Sequence, residues 1–254
     1  MVSRVFLTMA VGALLLPGPM PAQWLHYPDK KTPRTADGKP DLTAPAPRRA
    51  DGKPDLSGIW MGVVKYMIDI AADVKEVPFT AAGAAEYKRR RDTESKDDPS
   101  ARCLPLSLPL KNTITSPFKI INADGFGEIL LLYEGQRPRQ IFTDGRPLPK
   151  DPETAWDGYS VGRWEGDDLV VDSIGFNGKE WLDINGHPMS EATHLTERYR
   201  RTNFGHLLYQ VTIVDPTLYT QPWTIQQELR LLPDTELIEQ VCENNLDVPH
   251  LVGK

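Results

Sequence analysis

A chain of 254 residues with 35 acidic and 29 basic side chains, net charge −6, lacks the positive field that nucleic acid or an anionic membrane surface attracts. Its 40% hydrophobic content and length suffice for one large domain with a real core. No G-x-S-x-G elbow, Walker loop, G-x-G-x-x-G or C-x-x-C occurs, so serine-hydrolase, nucleotide-binding and thioredoxin chemistries have no support.

In chain order, residues 1–22 read as an export signal. Arg4 supplies the positive start, Val5 to Leu16 is an uncharged apolar run, and Pro17 to Ala22 breaks it. The run is too short to span a bilayer, which takes about 20 apolar residues. The mature chain is expected to begin near Gln23 and to be periplasmic or secreted. Residues 23–56 are rich in Pro, Lys, Arg and Asp and carry a near-duplicate, Ala36-Asp-Gly-Lys-Pro-Asp-Leu42 and Ala50-Asp-Gly-Lys-Pro-Asp-Leu56. Their low apolar content predicts an extended lead-in. Residues 57–254 form the single domain.

Ser57-Gly-Ile-Trp60 reads as the first strand. Thr80 can cap a helix over 81–93, where Ala, Glu, Lys and Arg are good formers. Strands follow at 118–123, 127–134, 138–143, 159–164, 168–174, 193–201, 207–214, 222–232 and 236–242. Their separators are turn residues such as Asp124-Gly125, Asp144-Gly145, Gly166-Asp167 and Pro233-Asp234. So many hairpins predict an antiparallel barrel or sandwich. Gly58-Ile-Trp60 resembles the first-strand signature of calycin (lipocalin-like) barrels, which implies a barrel whose tryptophan closes one end. Cys103 and Cys242, in an exported chain, predict one disulfide.

Polar residues on apolar strand faces mark a lined cavity. Glu197 lies between Leu195 and Tyr199, Tyr209 between Leu207 and Val211, Gln227 among Trp223, Ile225 and Leu229, and Gln240 beside Ile238 and Cys242. A carboxylate in apolar surroundings can serve as an acid or base. A structural network or a Glu197–Arg pair is the competing explanation. His187, between Gly186 and Pro188, suits a proton shuttle at a loop mouth. His187, His194 and His206 cluster with Glu191, but the spacing fits no metal motif, so no metal or other cofactor is expected. Arg146 either binds a substrate anion or pairs with Asp144 across its turn. Aromatic residues including Trp223 could stack on a flat ligand.

The ordered runs D-D-P-S-A-R-C-L-P (97–105), I-F-T-D-G-R-P-L-P (141–149), G-Y-S-V-G-R-W-E-G-D-D-L-V-V (158–171), T-E-R-Y-R-R (196–201), D-P-T-L-Y-T-Q-P-W (215–223) and L-P-D-T-E-L (232–237) resemble a family of exported bacterial proteins usually labelled hypothetical. The resemblance covers about residues 52–254. It implies export and a shared fold and carries no activity with it. This chain departs from the family at Asp167-Asp168, a turn. The combined expectation is an all-β, calycin-like antiparallel barrel with one helix and an extended N-terminal segment. Its expected function is acid–base chemistry on a small apolar or aromatic molecule, as a lyase, isomerase or hydrolase. Glu197 and His187 would be catalytic, with Tyr209, Gln227, Gln240, Arg146 and Trp223 holding the ligand. The alternatives are a carrier with the same cavity and an envelope interaction protein with none.

Overall fold

The computed structural model describes residues 27–242. The expected export signal at 1–22 lies outside them. The chain is an all-β, calycin-like closed barrel of nine strands in sequence order. They are β1 Gly58–Met61, β2 Phe118–Ala123, β3 Glu128–Tyr133, β4 Gln136–Phe142, β5 Tyr159–Glu165, β6 Asp168–Ile174, β7 His194–Arg201, β8 His206–Val214 and β9 Trp223–Leu231. The alternation that predicted them is clearest in β8 and β9. Every second residue there is buried, because pleating sends successive side chains to opposite faces. Strand β9 pairs with β1 through Trp60↔Leu231 and closes the ring.

Parity shapes this barrel. An odd number of strands cannot close with every neighbour antiparallel, so one pair must run parallel. That pair is β4 and β5, joined by the single register match Phe142↔Val161. By contrast, β7 and β8 match over eight pairs. The connection 143–158 crosses back along the barrel between them, and the wall there is a seam.

The tenth expected strand, 236–242, is not a strand. With β9 already on β1, no sheet edge remains for it, so the apolar–polar alternation of Ile238 to Cys242 had no partner to express it. The segment instead lies against the β3–β4 turn, where the Ile238 amide donates to Glu134 Oε1 at 2.8 Å. Cys242 bonds to Cys103, with Cα atoms 5.6 Å apart, as the two cysteines predicted.

The expected helix is α2, Ala81–Asp92. Thr80 caps it by accepting from the Gly83 amide at 3.0 Å. Gly83 is required by packing, since a Cβ there would stand 2.1 Å from the Leu218 carbonyl oxygen. Two single-turn helices were not anticipated: α1, Val64–Ile68, and α3, Leu110–Thr113. All four residues of α3 are buried.

Trp60 is fully buried, and its indole N–H donates to the Leu56 carbonyl at 3.0 Å. The Arg201 guanidinium stacks over it at 4.9 Å and donates to the carbonyls of Asp55, Ser57 and Phe204. These contacts fix Trp60 in the core where β1 pairs with β9. The duplicated lead-in makes two equivalent turns, bridged Arg34↔Pro40 and Arg48↔Pro54. In each, the arginine donates to the glycine carbonyl four residues on. Arg34 then reaches Asp234 after β9, and Arg48 reaches Asp167 in the β5–β6 turn. Leu56, ending the second copy, enters the core.

Candidate functional site

The barrel interior is filled by a polar network built around α3. Asn112 bonds to residues on four strands, reaching β8 through Tyr209 Oη at 3.4 Å. It accepts from Tyr133 Oη at 2.8 Å and donates to Tyr199 Oη at 2.8 Å and to Glu197 Oε1 at 3.1 Å, while its carbonyl accepts from Gln227 Nε2 at 3.0 Å. Such contacts require it to sit inside the ring. Glu197 points inward, as strand alternation placed it, and is fully buried. Its carboxylate accepts from Tyr199 and Tyr209, both at 2.8 Å, and from Arg139 Nη1 at 3.0 Å, and it pairs with Arg139 Nη2. Arg139 in turn donates to Ser160 at 3.1 Å and Ser173 at 3.0 Å. Glu197 Oε1 thus accepts from four donors, and Oε2 is held by Arg139. Burial and the neighbouring Glu197 charge hold the Tyr199 and Tyr209 hydroxyls well above the ordinary phenol range. These are the marks of a locked core network. Gln227 Oε1 is buried without a partner.

Beside this network, α3 delivers Lys111 to the seam. The side chain is wholly buried, lies 5.3 Å over the Tyr133 ring, and donates from Nζ to Asp157 Oδ1 at 2.6 Å. Burial pulls its pKa down; Asp157 pulls the other way, and Arg139 and Arg137 add to the lowering. Asp157 opens onto a seam pocket of about 240 Å³ lined by Arg139, Gln140, Phe142, Tyr159 and Ser160. Phe142 and Tyr159 stack at 5.1 Å. Arg146 does not line this pocket but touches two residues that do. It pairs with Asp144 in its own turn, and it also donates to Tyr159 Oη at 3.0 Å and lies 4.0 Å over Phe142.

The third group lies on the β6–β7 connection, residues 175–193. His187 is buried, with Nδ1 2.6 Å from Asp183 Oδ2. Asp183 also accepts from the amides of Ile70, Gly186 and His187. Asp69 stands 4.0 Å from the ring. Asp69, Asp183 and His187 bring one potential metal-ligating atom each to within 4.8 Å of one another, and the Asp183 oxygens are already engaged by these donors. Phe79, Tyr87 and Trp223 pack on the imidazole. No hydrogen bond links His187 to Glu197 among the described residues, so the two expected catalytic groups are separate. On the same connection, Glu180 is buried with neither carboxylate oxygen hydrogen-bonded. Desolvation pushes its pKa up to about 7, and Asp157 adds to the rise. The amides of Glu180, Lys179 and Asn177 oppose it from outside hydrogen-bonding geometry.

Tyr209 and Gln227 therefore join Glu197 in one network. Gln240 does not: it is exposed on the tail that failed to become a strand. Trp223 is buried against His187, not in the seam, and its indole N–H has no acceptor. His194 and His206 are occupied by Asp172 and Asn203. Sequence reasoning missed Arg139, Lys111, Asn112, Asp157 and Glu180. Only Arg139 carried a signal, since it shares the inward face of β4 with Ile141. Comparison with protein families, curated proteins and solved structures found no match to this chain.

Proposed function

We propose that the chain is an exported, cofactor-independent enzyme that performs acid–base chemistry on a small anionic molecule with an apolar or aromatic body. It acts at the seam between β4 and β5. The observation that carries the reading is Lys111. A fully buried amine is costly to place, and its carboxylate partner Asp157 lines a pocket. Burial favours the neutral amine, so the pair can pass a proton between Nζ and Oδ1 at 2.6 Å without solvent. Phe142 and Tyr159 form a flat wall, and Arg146, packed on both, offers a guanidinium to a carboxylate. The pocket volume of about 240 Å³ suits a compact substrate. Lyase, isomerase and hydrolase chemistry all fit a proton-transfer pair. Glu197, fixed by Arg139, holds the floor of this site. The disulfide between Cys103 and Cys242 supports export to an oxidising compartment.

The test is turnover of a panel of small aromatic and aliphatic carboxylates by the mature protein, followed by NMR. Lys111→Met and Asp157→Asn should each lose at least ~100-fold in kcat. Arg146→Gln should raise KM with little change in kcat, since it supplies uniform binding. Melting curves control for folding. Turnover that survives Lys111→Met overturns the assignment, and ligand binding without turnover makes the protein a carrier.

A further inference from the structure

A cavity of about 550 Å³ lies away from the seam, between residues 27–32 of the lead-in and the paired strands β1 and β9. Arg201, the last residue of β7, lines it and is 6% exposed. Its guanidinium is held by main-chain carbonyls alone. Nη1 donates to Asp55 and Ser57, Nε is shared between Asn203 and Phe204, and Nη2 donates to Phe204. A guanidinium carries five N–H groups, so one N–H on Nη2 has no acceptor among the described residues. The other two buried arginines, Arg90 and Arg139, each have a carboxylate partner, and Arg201 has none among the described residues. Asp55 is the acid whose charge reaches it, but the Asp55 carboxylate accepts from the Ser57 amide and Asn122. Burial pulls the Arg201 pKa down to about 10 and Asp55 opposes it, so the group is still a cation at neutral pH.

The rest of the lining does not supply the missing anion. Asp234 pairs with Arg34, Glu236 with Lys119, and Asp29 accepts from the Lys31 amide. Lys30 and Lys31 are exposed and form no ion pair among the described residues. With Arg34 included, five cations meet four acids around this space. The remaining walls are mostly aliphatic, with Ile59, Leu231, Leu232 and Pro233 beside Phe204. We propose that this cavity binds a medium-chain aliphatic carboxylate, its head on the free N–H of Arg201 and its chain along Ile59, Leu231 and Leu232. A carboxylate would complete the guanidinium's bonding with a charge-assisted hydrogen bond and supply its counter-charge. Lys30 and Lys31 add attraction for an anion. The volume falls in the range of small-molecule sites, about 300–1,000 Å³. The site is separate from the seam and holds whether or not Lys111 and Asp157 catalyse.

The test is an NMR titration of ¹⁵N-labelled protein with octanoate, and with octylammonium as the same chain of opposite charge. It is run in the Arg146→Gln background, so that the seam guanidinium takes no part. Amide signals of 27–32, 57–59 and 231–236 should shift together and saturate below about 1 mM octanoate. Octylammonium should bind at least ~10-fold more weakly. Arg201→Gln should weaken octanoate by about tenfold or more. Because Arg201 also holds main-chain carbonyls together, a second variant, Lys30→Glu with Lys31→Glu, changes only exposed side chains. It should weaken octanoate roughly fivefold at low salt, and added salt should remove the difference. One wall is lead-in and the other is strand, so bound octanoate should also slow hydrogen exchange in 27–32. Shifts confined to other parts of the chain, equal affinity for octylammonium, or unchanged affinity in a folded Arg201→Gln protein or in the lysine variant would each overturn the proposal.

Discussion

At the scale of the residue, Glu197 shows where sequence reading stops. Alternation between Leu195 and Tyr199 placed its side chain inward, and it is inward. What alternation could not supply was the partner. Arg139 comes from β4, 58 residues earlier, and Asn112 from a helix of one turn. The same inward glutamate could have been a bare acid or half of an ion pair, and only the fold decides which. The pair makes a sharp prediction. Glu197→Gln leaves a buried guanidinium without its counter-charge and should cost about 3–5 kcal/mol, read as a shift in the denaturation midpoint. Arg139→Met with Glu197→Leu removes both charges and should recover part of that loss, although the Tyr199 and Tyr209 hydroxyls then lose their acceptor. A Glu197→Gln protein as stable as the parent would contradict the ion pair as a core element. Gln240 failed for a different reason: its strand does not exist.

At the scale of the element, strands were legible because their signal is local. Period-two alternation and turn residues such as Gly166-Asp167 set the boundaries of β5 to β9 within a residue or two. The short helix α3 carried no such signal. Four residues cannot show a period, and the helix exists because the barrel interior packs around it. The duplicated lead-in was legible as a repeat but not as a strap. Its grip depends on Gly205, where a Cβ would stand 2.4 Å from Leu42 Cβ, and on arginines reaching distant turns. The tail after β9 is held in the same fashion. The disulfide closes a loop spanning 139 residues, which in the chain-entropy model contributes about 5 kcal/mol. Replacing both cysteines with serine should lower stability by several kcal/mol, at most about that amount. It should also leave β9 paired and release 235–242 to proteolysis, detected by peptide mapping of limited digests. Loss of the barrel itself, seen as a collapsed β-sheet circular dichroism signal, would mean the tail does more than this geometry shows.

At the scale of the whole molecule, strand number governs where function can sit. Nine strands leave one parallel contact, and a parallel contact needs a crossing connection, here 143–158, which carries Asp157. The barrel is tightly filled inside by Asn112, Tyr133, Tyr199 and Tyr209, so an interior ligand space of the carrier kind is not what this arrangement favours. The seam is instead where Arg139 and Asp157, the partner of the buried Lys111, line a small pocket. That places the proposed chemistry and the weakest part of the sheet together. Hydrogen exchange followed by mass spectrometry should show it. Peptides covering β4 and the start of β5 should exchange faster than those covering β7 to β9, because one register pair protects the first boundary and eight the others. A small anionic aromatic such as benzoate, bridging the wall at Arg146 and Tyr159, should slow exchange there and leave β7 to β9 unchanged. Uniform protection around the ring would show that the seam is as tight as the rest of the wall, and the pocket would then lose its claim to be the way in.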